Sequence, residues 1–156
     1  MTRNADHIRK LSKLWMPVGK RVVIVGGGLV GVELAEFLAE RGRQVSVIEE
    51  GEKFGIELAV VRRWRVLYEL RELGVVMINK ASVTQIERRS LQLRVEDAVV
   101  DIAADTVILA GGAQANRSLA EQLQASGVET HIAGDCGGVG YIEGAIHTGN
   151  AAGRAV

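Results

Sequence analysis

Val22-Val23-Ile24-Val25-Gly26-Gly27-Gly28-Leu29-Val30-Gly31 is the stretch on which the fold turns. Four β-branched residues stopped by three glycines read as a strand buried on both faces of a parallel sheet. After the glycines the apolar period becomes helical. It places Val30, Leu34, Phe37 and Leu38 on one stripe of a helix over 29–41, with Gly42 set to end it in a left-handed conformation. Gln44-Val45-Ser46-Val47-Ile48 is a second strand, and a right-handed crossover makes the two strands parallel.

The pattern continues outward. A helix is predicted over 57–73 with Val60, Trp64, Leu67 and Leu70 inward and Gly74 as its stop, followed by a strand over 75–78. Three short alternating runs, 83–87, 91–95 and 99–102, form a small antiparallel meander. The run 106–110 returns to the parallel sheet and breaks at Gly111-Gly112. Asn116 can cap a helix over 117–125 through its side-chain oxygen. His131-Ile132-Ala133 reads as a short strand entering Gly134-Asp135, and Ile142, Ile146 and Gly149 line a last helix running to Val156. The expected fold is α/β, a Rossmann-like doubly wound parallel sheet with a small antiparallel β-meander insertion. Its expected parts are a linker or arm at 1–19, a nucleotide-binding domain at 20–130 and a C-terminal strand and helix at 131–156.

Composition narrows the function. The 156 residues balance 19 Lys+Arg against 19 Asp+Glu, which argues against a nucleic-acid partner, and 47% hydrophobic content supplies a core. One cysteine rules out an internal disulfide or a Cys-rich metal cluster and suits a reducing, cytoplasmic setting. No apolar run approaches the ~18 residues of a membrane span, and no signal peptide is legible.

Residues Gly26, Gly27, Gly28, Leu29, Val30 and Gly31 spell GxGxxG between a predicted strand and a predicted helix, the context that gives the pattern meaning. Gly26 allows the sharp turn, Gly28 lets a pyrophosphate approach the backbone, and Gly31 lets the helix pack close to the strand. The first-turn amides and the helix dipole then face a diphosphate. Glu49 stands 18 residues after Gly31, where a carboxylate can accept both hydroxyls of an adenosine ribose. A 2′-phosphate about 4 Å from it would be repelled by up to ~4 kcal/mol at an effective dielectric of 20. NAD(H) is therefore favoured over NADP(H), although Lys53, Arg62 and Arg63 are cations that could compensate.

The segments GKRVVIVGGGLVGVELAEFLAERGRQVSVIEE, VLYELRELGVVMI, DTVILAGGAQAN, HIAGDC and IEGAIHTGNAAGRA together resemble the C-terminal FAD/NAD(P)-binding part of the NADH:flavin oxidoreductases related to 2,4-dienoyl-CoA reductase, 2-enoate reductase and trimethylamine dehydrogenase. The resemblance runs from about Gly19 to Val156. It implies a pyridine-nucleotide site at Gly26 to Gly31, Glu49, Glu50, Gly111 and Gly112, and a remnant of an FAD domain at Gly134 and Asp135. It also implies partners not legible in this chain: an N-terminal barrel with FMN and an iron-sulfur cluster, and an FAD half-domain with its own glycine turn. The chain alone is then expected to carry no FAD and not to be catalytically competent. Its expected partner is a small-molecule nucleotide, with a homo-oligomer as a further possibility. A non-catalytic ADP- or AMP-binding module and a docking domain are the competing readings.

The remaining chemistry-bearing residues attract weaker assignments. Cys136, His131 and His147 have spacings that match no structural zinc pattern, so no metal site is expected. Glu33 lies where a carboxylate offsets the helix dipole. Glu49 and Glu50 are no acid/base couple, because successive strand residues point to opposite faces. No residue is assigned a catalytic role.

Overall fold

The computed structural model describes residues 16–156, so Ile8, Leu11, Leu14 and Trp15 of the expected arm lie outside the described residues. In chain order the elements are β1 (Arg21–Val25), α1 (Leu29–Ala39), β2 (Gln44–Ile48), α2 (Val60–Glu72), β3 (Val76–Ile78), β4 (Ala81–Ile86), β5 (Ser90–Val95), β6 (Ala98–Ala103), β7 (Thr106–Leu109), α3 (Ser118–Ala125) and α4 (Tyr141–Ala155). They divide into two compact units, one ending at Gly112 and one spanning Ala113–Val156.

The first unit is built on the predicted parallel sheet, with strand order β3-β2-β1-β7. Val22 pairs with Val45 on one side and Thr106 on the other, and every pairing in this sheet is parallel. Side-chain alternation along β1 sends Val22 and Ile24 to one face and Val23 to the other. Val22 and Ile24 join Val45, Val47 and the helix residues Val32, Ala35, Leu38, Val66 and Leu70 in one core. Val23 and Ile48 join Ala81, Leu91, Leu93 and Ala104 in a second, so the antiparallel sheet β4-β5-β6 covers the face opposite the helices. Burial on both faces is why β1 carries no polar residue after Arg21.

Two helix faces differ from the sequence expectation. In α1 the buried residues are Gly31, Val32, Ala35 and Leu38, while Val30 and Phe37 are 54% and 42% exposed. Gly31 sets that rotation: a Cβ on it would run into the Gly26 carbonyl oxygen, so this residue must face the end of β1. Phe37 instead carries the Arg41 guanidinium 3.5 Å from its ring centre. In α2 the buried residues are Val66 and Leu70, while Val60 and Trp64 are 71% and 73% exposed. Here Arg62 turns toward α1 and meets Glu36 at 3.0 Å, with Glu69 at 3.7 Å and Glu33 at 3.9 Å. At 3.6 residues per turn, a helix with 62, 66 and 70 facing its neighbour must turn 60 and 64 away. Burial raises the Glu36 carboxyl above its usual range, and the hydrogen bond shared with Glu69 acts in the same direction. The helix also begins at Val60 rather than at 57, so Glu57 stands in the turn before it.

The second unit holds α3 and α4. The helix expected from 117 begins at Ser118 with Arg117 at the N-cap position, and Asn116, one residue earlier, accepts the Ser118 amide at 3.1 Å and the Ser118 hydroxyl at 2.7 Å through its Oδ1. The predicted strand at His131-Ile132-Ala133 does not form. A strand needs a neighbour to satisfy its amides, and the described elements of this unit are both helices. Ile142 and Ile146 of α4 are 79% and 65% exposed.

Candidate functional site

The glycine turn sits at the carboxyl end of β1, where the strand hands over to α1. Gly26 has φ 110°, and a Cβ there would strike the Ala110 carbonyl oxygen and come within 3.0 Å of the Gly111 amide nitrogen. That close approach brings the β7 exit, with Gly111 and Gly112, beside the turn. The Gly26 amide donates to the Ile48 carbonyl at 2.8 Å, which ties the turn to the end of β2 as well. Gly28 is the residue immediately before α1, and its carbonyl accepts the Val32 amide at 3.1 Å. Gly28 has no side chain to cap the helix, so the first-turn amides face an anion position outside it, and the Leu29 amide there meets the Glu57 carboxylate at 3.0 Å.

Glu49 leaves β2 toward this turn. Its Oε2 accepts the Gly27 amide at 2.7 Å and its Oε1 the Gly51 amide at 2.8 Å. Two backbone amides thus fix the carboxylate at the base of the glycine turn, and its remaining lone pairs can still accept hydroxyl groups. Glu50, next in the chain, is exposed, in keeping with the alternation of strand residues. Val30 is exposed on α1, and Gly31 is buried against the turn.

The cations singled out near Glu49 are largely committed elsewhere. Arg62 serves the three carboxylates between α1 and α2, and Arg63 donates from Nε to the Phe54 carbonyl at 2.6 Å. Lys53 is exposed.

The segment 50–59 folds over the turn, a feature that sequence reasoning missed. The Gly55 amide donates to the Gly27 carbonyl at 2.7 Å, and a Cβ on Gly27 would collide with the Phe54 ring. Glu57 places Oε2 3.0 Å from the Leu29 amide, at the N-terminus of α1. The legible signal was GEKFG at 51–55, two glycines bracketing an aromatic, which is turn chemistry rather than the lead-in to a helix.

Gly134 and Asp135 belong to the second unit. Gly134 has φ 76° and donates its amide to the Thr148 hydroxyl at 2.8 Å. Asp135 Oδ1 accepts the amides of Gly140 and Tyr141 at 3.0 and 3.1 Å, so this carboxylate caps α4. The Cys136 thiol donates to the Ala133 carbonyl at 3.2 Å. Among the described residues no three His, Cys, Asp or Glu side chains gather as a metal would require. Nor is any described helix long and apolar enough to cross a membrane.

A family model for pyridine nucleotide-disulphide oxidoreductases matches residues 1–136. Over 131 residues the chain is 37% identical to a bilirubin reductase of Mediterraneibacter gnavus (strain CC55_001C), covering 84% of this chain and 20% of that protein. It is 31% identical over 132 residues to an NADH oxidase of Thermoanaerobacter brockii, covering 83% and 20%. Among solved structures it is similar to a 2-naphthoyl-CoA reductase in complex with 2-naphthoyl-CoA, at TM-score 0.81 and 26% identity over 90% of this chain and 22% of that one. The chain spans about a fifth of the length of these relatives. With a family match over most of its length and a glycine turn that enters a helix at the end of a parallel strand, this chain belongs to the pyridine nucleotide-disulphide oxidoreductase family.

Proposed function

We propose that the chain is the pyridine-nucleotide-binding domain of a flavin-dependent oxidoreductase of the 2,4-dienoyl-CoA reductase type, holding NADH for hydride transfer to FAD. The observation that carries this reading is the cradle at Gly28. The residue has no side chain, it stands directly before α1, and a Cβ on it would reach only the tip of an exposed carboxylate, 2.8 Å away. Once that carboxylate swings aside, a diphosphate can lie there against the backbone amides of the helix N-terminus. When bound, the nicotinamide supplies the hydride chemistry, and the protein supplies placement. Gly26 and Gly31 shape the turn, the first amides of α1 hold the diphosphate, and Glu49, pinned by the Gly27 and Gly51 amides, accepts the adenosine ribose hydroxyls.

The preference for NADH over NADPH rests on the same residues. A 2′-phosphate would meet the Glu49 carboxylate, while Arg62 and Arg63 are held by other partners. The reductase and oxidase names of the relatives agree with a redox role for the whole protein. FAD would be held mainly by a part of the protein beyond this chain, because the single GxGxxG here is assigned to the nicotinamide cofactor.

Calorimetric titration with NADH and ADP-ribose tests the proposal. Saturable binding at one site is expected for the parent and none for Gly28→Val, with an unchanged circular dichroism spectrum. A Gly28→Val protein that binds as the parent does would refute the site. Stoichiometric NADH oxidation by the full-length protein separates a hydride-transferring domain from a nucleotide-binding module.

A further inference from the structure

The helix end assigned to the diphosphate already carries an anion. Glu57 Oε2 accepts the Leu29 amide at 3.0 Å, and a Cβ on Gly28 would come within 2.8 Å of Oε1 and 3.3 Å of Oε2. The space left by the missing side chain of Gly28 is thus filled by a carboxylate of the chain itself. Two neighbouring contacts hold Glu57 there: the Gly55 amide on the Gly27 carbonyl at 2.7 Å and the Phe54 ring against Gly27. The Leu58 amide closes the turn onto the Gly55 carbonyl at 3.1 Å.

We infer that Glu57 is an intramolecular competitor for the dinucleotide diphosphate, so that a nucleotide binds only as the Glu57 side chain leaves the α1 N-terminus. This inference rests on the proposed nucleotide site and adds its regulation. A phosphate at Leu29 and the Glu57 carboxylate would occupy one amide with two like charges in contact, so the two states exclude each other. Apparent affinity is then the intrinsic affinity reduced by the fraction of molecules in which Glu57 is displaced. Glu57 is exposed, whereas Phe54 and Leu58 of its segment pack against the core, so the exchange is a swing of the Glu57 side chain that leaves the sheet and its cover intact.

Titration of the full chain and its variants with ADP-ribose and with adenosine tests the inference. Glu57→Ala should bind ADP-ribose at least tenfold more tightly than the parent, and Glu57→Gln, which keeps a neutral acceptor, should fall between them. Adenosine, which carries no diphosphate, should bind parent and variants alike. Equal ADP-ribose affinity for parent and Glu57→Ala, with binding still lost in Gly28→Val, would overturn the inference and leave the nucleotide site standing. An equal gain for adenosine would also overturn it, since the effect would then not lie at the diphosphate. Absence of ADP-ribose binding in parent and Glu57→Ala alike would refute both the inference and the site.

Discussion

The Glu49 carboxylate holds the Gly27 and Gly51 amides and, in the proposed site, also the ribose, and its substitution should reveal both. Glu49→Ala should weaken NADH binding by about 1–3 kcal/mol through lost charge-assisted hydrogen bonds and should narrow the preference over NADPH. It also strips acceptors from the Gly27 and Gly51 amides, so a lower urea midpoint is expected alongside the affinity change. Parallel titrations with NADH and NADPH check the first effect, and unchanged affinities for both would mean that the ribose does not reach Glu49. At Gly26 the expected effect is purely structural. With φ at 110° and the Ala110 carbonyl where a Cβ would stand, Gly26→Ala should cost about 1–3 kcal/mol in backbone strain alone, measurable by urea denaturation. The turn-forming roles of Gly26 and Gly31 were legible in GxGxxG because each answers a steric demand of the turn. The place of Glu57 was not, because it depends on how 50–59 folds back over a residue 28 positions earlier, and no local pattern encodes that contact.

At the scale of elements, the strands of the two sheets followed the sequence, and the helix faces followed it only in part: Leu34, Leu38, Leu67 and Leu70 face the core, and Val30, Phe37, Val60 and Trp64 do not. β-branched runs broken by glycine have one reading, whereas α1 and α2 carry enough apolar residues to offer two stripes each. The choice between stripes is made by contacts outside the helix: the Gly31 approach to Gly26 in one, the Arg62 pairing with Glu36 in the other. The strand expected at 131–133 failed for a related reason, since strand formation depends on a neighbour that the local sequence does not contain. The α2 rotation is checked by a pair of variants. Leu70→Ala, at a fully buried site, should cost about 2–5 kcal/mol, and Trp64→Ala, 73% exposed, should fall within about 0.5 kcal/mol of the parent. A cost for Trp64→Ala as large as that for Leu70→Ala would restore the face expected from sequence, which has both residues inward.

The join between β1 and the turn before β7 makes a pH-dependent contribution. Arg21 donates to Asp105 from its backbone amide at 2.9 Å, from Nε at 3.2 Å and from Nη2 at 2.6 Å, and this pairing holds the Asp105 carboxyl far below the usual carboxylate range. A carboxyl whose folded value is depressed stabilises the protein above its unfolded value, near ~3.9, and loses that stabilisation as the pH falls toward the folded value. Parent and Asp105→Asn should therefore differ in urea midpoint at neutral pH and converge as the pH drops below about 4. A gap that stays constant through that range would mean that the pairing contributes nothing electrostatic.

On the scale of the whole molecule, the chain spans about a fifth of the length of its relatives, and the proposed nucleotide site is one site on its parallel sheet. Asp135, whose Oδ1 already accepts the first amides of α4, offers a flavin one acceptor, worth about 1–3 kcal/mol, whereas retention through purification needs roughly 10 kcal/mol. The purified chain should accordingly be colourless, and a flavin absorption band at one equivalent per chain would reassign the glycine turn to FAD. The central claim is that the dinucleotide lies across the turn at Gly26 to Gly31 with its ribose on Glu49. An amide-resolved NMR titration of the chain with NADH tests this most directly. The account predicts that the largest shifts fall on the amides of Gly27, Gly28, Leu29, Val30, Gly31 and Gly51, the last reporting on Glu49. Saturable shifts confined to residues away from the β1–α1 turn, or none there at NADH concentrations that saturate binding, would contradict it.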